Sequence, residues 1–239
     1  GIFAVEKNEF AFLTLKHNLI NTQKDYQYDW PPWLPQQNIT VSGLLKNYCK
    51  EIECLKDQVD LVAGGPPCQG FSIRGVRSEG DSRNSLYKDY IEFVNLVLPK
   101  FLLIENVRGI DVEFRGKNNK GNKKIEGPTK SFAQRIADAL DKIGYETKWH
   151  LVKAVEYGVP QFRPRYIMIG INRNLMNGMN ISEKPNEFFE LLSKYRCDFL
   201  KKKGLDFKEY VSVSEAISDL ETTSRARMDC VDSAGFEQI

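Results

Sequence analysis

Three short segments of this chain carry residue types that can do chemistry together. The first is Gly64, Gly65, Pro66, Pro67, Cys68, Gln69, Gly70, Phe71 and Ser72, entered from the apolar run Asp60, Leu61, Val62, Ala63. Glycine permits unusual backbone angles and proline locks them, so this stretch forms a tight, stiff turn. A lone thiol on a rigid turn at a strand end is a way to present a nucleophile. A buried structural cysteine is the competing reading, because free Cys mostly behaves as a small core hydrophobe. The prolines before Cys68 and the polar Gln69 and Ser72 after it weigh against that reading.

The second segment is Phe101, Leu102, Leu103, Ile104, followed by Glu105, Asn106, Val107, Arg108 and Gly109. An apolar run of strand length ends in a carboxylate, an awkward place for a purely structural charge. An exposed Glu at a strand end is the plainer alternative. The third is Gln161, Phe162, Arg163, Pro164, Arg165, leading into the strand-like run Tyr166 to Gly170. Residues two apart on an extended segment share a side, so both guanidiniums can reach one site. Pro164 favours extension at Arg163. In isolation, this segment is a solvated basic turn. Taken together, the segments offer a thiol, a carboxylate for proton transfer and an arginine to favour the thiolate or brace an acceptor.

The elements that must position these residues alternate in type. Ile2 to Val5 reads as a strand ending at Glu6, and Asn8 as the cap of a helix carrying Phe10, Leu13 and Leu15. Asn38 to Val41 reads as a short strand, followed by a weak helical signal from Leu44 to Leu55. Asp60 to Ala63 is a strand. Ser85 to Leu98 is a helix stopped by Pro99, with Leu86, Tyr90, Val94 and Val97 at helical spacing. Phe132, Ile136, Leu140 and Ile143 share one face of another helix, which stops at Gly144. Strands follow over Glu146 to Val155 and Arg165 to Ile171, and Asn186 to Leu220 is helical and amphipathic. Strands alternating with helices predict an α/β fold, a mostly parallel sheet with helices on both faces. Ligands bind such sheets at the carboxyl ends of the strands, where Glu6, Asn38, Cys68 and Glu105 all fall.

The chain has 239 residues and a net charge of only +2, so composition does not announce nucleic acid and any such footprint must be local. Its five cysteines form no Cys-x-x-Cys pair, and only His17 and His150 accompany them, which argues against a zinc site. Their scatter suits a reducing, intracellular compartment. No apolar run is long enough to span a membrane. The segment from Ile73 to Ser85, with Arg74, Arg77 and Arg83, has the content of an active-site loop. The stretch from Asp111 to Lys130 is rich in Lys, Asn and Gly, and Lys117, Lys120, Lys123 and Lys124 suit either phosphate contacts or a solvated insert.

The three segments, in this order and each beside a strand, resemble the DNA (cytosine-5) methyltransferases. That family has a nucleophile in a Pro-Cys-Gln context, then Glu-Asn-Val, then Gln-x-Arg-x-Arg. The resemblance covers roughly residues 1 to 171 and extends to Val211–Leu220. It implies a Rossmann-like fold using S-adenosylmethionine and acting on double-stranded DNA, as the modification enzyme of a restriction system in the bacterial cytoplasm. Cys68 would attack carbon 6 of a cytosine turned out of the duplex, Glu105 would serve N3, and Arg163 and Arg165 would brace the site. Glu6, Asn38, Ile39, Pro67 and Leu86 would meet the cofactor, with Asn38 standing where the family commonly has Asp. Gln69, Ser72, Arg74 and Arg83 would meet DNA.

Against the family pattern, the first strand and the target-recognition region are missing. The expectation is a partial catalytic core over residues 1–171 and a helical segment over 172–239 leading toward that absent region. The chain is then a fragment, or a second polypeptide supplies the missing parts. Two other readings stay open: a tRNA cytosine-5 methyltransferase, and a catalytically incomplete fragment that binds nucleic acid or a partner.

Overall fold

The computed structural model of the protein describes residues 1–21, 27–66, 86–112, 130–175, 185–206, 208–218, 230–231 and 237–238. The chain divides into two compact units, Gly1–Leu151 with Arg165–Glu190, and Val152–Pro164 with Leu191–Ile239.

The main sheet has four strands, β1 (Leu61–Gly64), β2 (Phe101–Val107), β3 (Tyr145–Lys153) and β4 (Pro164–Asn172), in the order β1-β2-β4-β3. β1 and β2 run parallel, with Gly64 opposite Ile104. β4 runs antiparallel to β2, so the sheet is mixed, not mostly parallel. Only residues 154–163 join β3 to its sheet neighbour β4, fewer than a parallel crossover of about a dozen or more residues requires, so these two strands cannot both run with β2.

Helix α1 (Glu9–Lys16) is capped by Asn8, whose side chain accepts from the Ala11 N–H, as its sequence suggests. Residues 1–7 form no strand, contrary to expectation. Phe3 instead lies edge-on to Trp30, Trp33 and Phe93. A strand is defined by its hydrogen-bonded neighbour, and among the described residues β1 has one only on its β2 side. The strand expected at Asn38 to Val41 is also absent. Thr40 caps helix α2 (Val41–Asn47) by accepting from the Gly43 N–H, and α3 (Cys49–Glu53) follows. Here a capping hydroxyl outweighs a β-branched run.

Helix α4 (Leu86–Val97) is where its spacing predicts, and it serves two cores. Tyr90 and Val94 pack with Leu102, Ile104, Tyr145, Tyr166 and Met168 of the sheet and with helix α5 (Phe132–Lys142). Val97, one turn on, packs with Leu34, Leu44, Leu45 and Ile52. The chain leaves α4 through Leu98, at a left-handed φ of 46°, and Pro99 prevents another turn. β2 alternates strictly: Leu102, Ile104 and Asn106 are buried, while Phe101 and Glu105 on the other face are exposed.

In the second unit, Gly158 adopts φ 81° behind the short turn Ala154–Tyr157. The left-handed φ favours glycine, and a Cβ there would stand 2.5 Å from Leu205 Cδ1, which would have to turn aside. The expected continuous helix from Asn186 to Leu220 is two pieces, α6 (Pro185–Lys202) and α7 (Val213–Ile217). Gly204 at φ 71° ends the first, and Ser212 with Glu215 forms a capping box for the second. A strand pair, β5 (Cys230–Val231) with β6 (Glu237–Gln238), was not foreseen.

Candidate active site

The acid and one arginine of the sequence motifs meet on the sheet. The β2–β4 ladder pairs Glu105 with Ile167 and Val107 with Arg165. Glu105 and Arg165 are therefore diagonal neighbours on one face, within reach of long side chains. Arg165 Nε donates to Glu105 Oε1 at 2.7 Å. Glu105 is 51% exposed and Arg165 23% exposed. A pair this wet is worth about 0–1 kcal/mol to stability. What it does achieve is to fix the direction of a carboxylate that stays accessible. Glu105 lies inside β2 and not at its end, since the strand continues to Val107.

The loop leaving β1 passes directly over this acid. A Cβ on Gly65 would be 3.6 Å from Glu105 Oε2 and 3.5 Å from its carbonyl oxygen, ordinary contact distances. One residue further, the Pro66 carbonyl accepts a 2.8 Å hydrogen bond from Asn106 Nδ2. Asn106 is only 3% exposed, and its Oδ1 accepts from the Val107 N–H at 2.9 Å. Both ends of this buried amide are thus satisfied, one of them by a segment 40 residues away. Sequence reasoning treated Asn106 only as a neighbour of Glu105. The signal was there: strict alternation along β2 turns Asn106 toward the core, and a buried amide must find a partner.

Cys68, the expected nucleophile, lies outside the described residues, two positions beyond Pro66. Pro67, Gln69, Ser72, Arg74, Arg77, Arg83 and the lysines from Lys117 to Lys124 lie outside them as well. Arg163 falls in the second unit, exposed, with its carbonyl accepting from the Ala154 N–H at 3.0 Å.

The expected cofactor residues near the amino terminus do come together. The Ile39 N–H donates to the Glu6 carbonyl at 2.8 Å, and Asn38 Nδ2 donates to the Lys7 carbonyl at 3.0 Å. Glu6 Oε1 accepts from the Asn8 N–H at 2.7 Å. Each side chain is held at one atom and keeps an acceptor to offer, Oε2 of Glu6 and Oδ1 of Asn38. Acceptors of this kind suit ribose hydroxyls and an adenine amino group. Leu86, half-buried, is the first residue of α4. Among the described residues no group of three His, Cys, Asp or Glu could hold a metal ion, and no helix is long and apolar enough to cross a membrane.

The sequence has clear relatives. It is 36% identical over 162 residues to the Type II methyltransferase M.DdeI of Desulfomicrobium norvegicum, covering 68% of this chain and 32% of that protein. It is 36% identical over 122 residues to M.XorII of Xanthomonas oryzae pv. oryzae, covering 50% of this chain and 26% of that one. The chain therefore spans about a third or less of these two relatives. Among solved structures, the S. pombe Dnmt2 methyltransferase matches with a TM-score of 0.47 and 17% identity, covering 72% of this chain and 42% of that one. The profile described as C-5 cytosine-specific DNA methylase matches residues 2–232, nearly the whole length. The chain belongs to the C-5 cytosine-specific DNA methylase family.

Proposed function

We propose that this chain carries the catalytic core of a DNA (cytosine-5) methyltransferase that modifies double-stranded DNA, as the modification arm of a restriction system inside the bacterial cell. The observation that carries the reading is the accessible Glu105–Arg165 pair beneath a loop anchored by Asn106, two residues short of Cys68. The Type II names of its relatives support DNA as the substrate.

Cytosine is a poor nucleophile at carbon 5. In this reading the Cys68 thiolate bonds to carbon 6, which pushes electron density onto N3 and carbon 5. Glu105, entering the step protonated on the oxygen that Arg165 does not hold, donates its carboxyl proton toward N3 as negative charge develops there and takes it back when the ring is restored. Arg165 holds the Glu105 carboxylate in register, and Arg163 braces the base. S-adenosylmethionine, when bound, supplies an electrophilic methyl group on a sulfonium. Glu6 would accept from its ribose hydroxyls and Asn38 from its adenine amino group, with Ile39, Pro67 and Leu86 packing beside it. Once carbon 5 is methylated, its proton leaves to a base, the carbon–sulfur bond breaks and Cys68 is released as thiolate. Gln69, Ser72, Arg74 and Arg83 would hold the DNA while the target base is out of the stack.

The test is transfer of labelled methyl from S-adenosylmethionine to duplex DNA, with tRNA as a parallel substrate. Product 5-methylcytosine in DNA, and a covalent adduct with DNA carrying 5-fluorocytosine that disappears in Cys68→Ala, are the expected results. Methylation of tRNA alone, or transfer that survives Cys68→Ala, overturns the reading.

A further inference from the structure

The point where the chain leaves β1 is set by a glycine lying against a buried ring. Gly64 is the last residue of β1. Its φ is not left-handed, so backbone angle does not explain a glycine there. Space does: a Cβ on Gly64 would stand 2.7 Å from Cε2 and 3.2 Å from Cδ2 of Tyr90. Real Cβ atoms do not approach that closely, so either the strand end or the ring would have to move.

Tyr90 has little freedom to yield. It sits on α4 within the core that includes Val94, Ile104, Phe132 and Tyr166. Its hydroxyl is buried and has no hydrogen-bond partner among the described residues. Packing holds the ring, and close-packed cores transmit displacement instead of absorbing it. Immediately after Gly64 the chain meets Glu105 at Gly65 and is tied to Asn106 at Pro66. Beyond the ladder pair with Ile104, a displacement at Gly64 reaches Glu105 and Asn106 through these two contacts.

We propose that Gly64 and Tyr90 are positioning residues, the ring acting as a stop that sets how the chain leaves the sheet past Glu105 and Asn106 toward Cys68. This rests on the cytosine methyl-transfer reading and adds to it a residue from α4 that none of the three motifs contains.

The test uses the full chain as wild type, Gly64→Ala, Tyr90→Leu and the double variant. The readouts are kcat, KM for S-adenosylmethionine, the melting temperature, and the rate of iodoacetamide alkylation at Cys68 relative to exposed Cys197. Gly64→Ala is expected to lower kcat roughly tenfold or more, since small misplacements of reacting groups are costly. KM for S-adenosylmethionine should change less than kcat, because Glu6 and Asn38 stand elsewhere and only Pro67 follows Gly64 closely along the chain. The Cys68-to-Cys197 alkylation ratio should shift several-fold. Adding Tyr90→Leu removes the contact at Cε2 and should recover most of both losses. Wild-type kcat in Gly64→Ala, or a loss in a folded protein that Tyr90→Leu does not relieve, overturns the proposal. If the wild-type chain transfers no methyl, the alkylation ratio still decides: a shift in Gly64→Ala reversed in the double variant supports the stop, and an unchanged ratio overturns it. If Gly64→Ala does not fold, Tyr90→Leu alone carries the test. A several-fold drop in kcat, or the same shift in alkylation, supports the stop, and wild-type values of both overturn it.

Discussion

The acid end of the sheet and the amino-terminal loops hold their candidate residues by different means. Glu105 and Arg165 stand on adjacent strands joined over a continuous ladder from Phe101 to Val107. Their backbones are fixed by that ladder, which leaves the two side chains to pair with each other. Glu6 and Asn38 stand on loops, and their own side chains do part of the holding: Glu6 takes the Asn8 N–H and Asn38 clasps the Lys7 carbonyl. On strands, position and chemistry are separable. On loops, one side chain supplies both, and a substitution there removes both at once.

That contrast can be broken by measurement, beginning where the effect is largest. Cys68→Ala should abolish methyl transfer with the melting temperature unchanged, and residual turnover would remove the nucleophile from the account. Glu105→Gln should lower kcat by roughly 10²-fold or more, as expected for loss of a proton-handling group. Its stability should barely change, because the Glu105–Arg165 pair is half in water. A large loss of melting temperature would show that the strand side is no different from the loops.

Asn106→Leu tests the tie between the two motifs. It leaves the Pro66 carbonyl without its donor, which should cost about 1–3 kcal/mol in denaturant unfolding and lower kcat together with it. Asn38→Ala should mix effects in the other way. Loss of the clasp costs about 1 kcal/mol, and KM for S-adenosylmethionine rises while kcat holds. A change in kcat without a change in KM would separate Asn38 from the cofactor.

The smallest expected effect is alkaline. Burial raises the phenol pKa of Tyr90, Tyr145 and Tyr166 above the ordinary value of 10.0. The folded state then holds these protons more tightly than the unfolded chain. Their contribution is fully present below pH 10.0 and declines as pH rises beyond it. Melting followed upward from pH 9 should fall more steeply in wild type than in Tyr166→Phe, whose removed hydroxyl has no partner to lose among the described residues.

Much of this was written in the order of residues. The three motifs named the chemistry because a nucleophile on a glycine–proline turn, a carboxylate after an apolar run and arginines two apart are local patterns. The periodicity of α4 and α5 was legible for the same reason: helices close their hydrogen bonds within themselves. Strands do not. The expected strands at Ile2–Val5 and Asn38–Val41 are not formed, one taken up in aromatic packing and the other replaced by the Thr40 cap. That β3 and β4 cannot both run with β2 follows from a connection length visible in the sequence, yet only the ladder itself set β4 against β2 and placed Arg165 diagonal to Glu105.

The sequence alone determined which groups are present to react, because reactivity belongs to side chains and their immediate neighbours. Tertiary structure alone decided which of them meet. The bond from Asn106 to Pro66, the ring of Tyr90 against Gly64 and the clasp between Asn38 and Lys7 each join residues distant along the chain. Such contacts depend on strand register and core packing, which are settled between elements and not within any one of them.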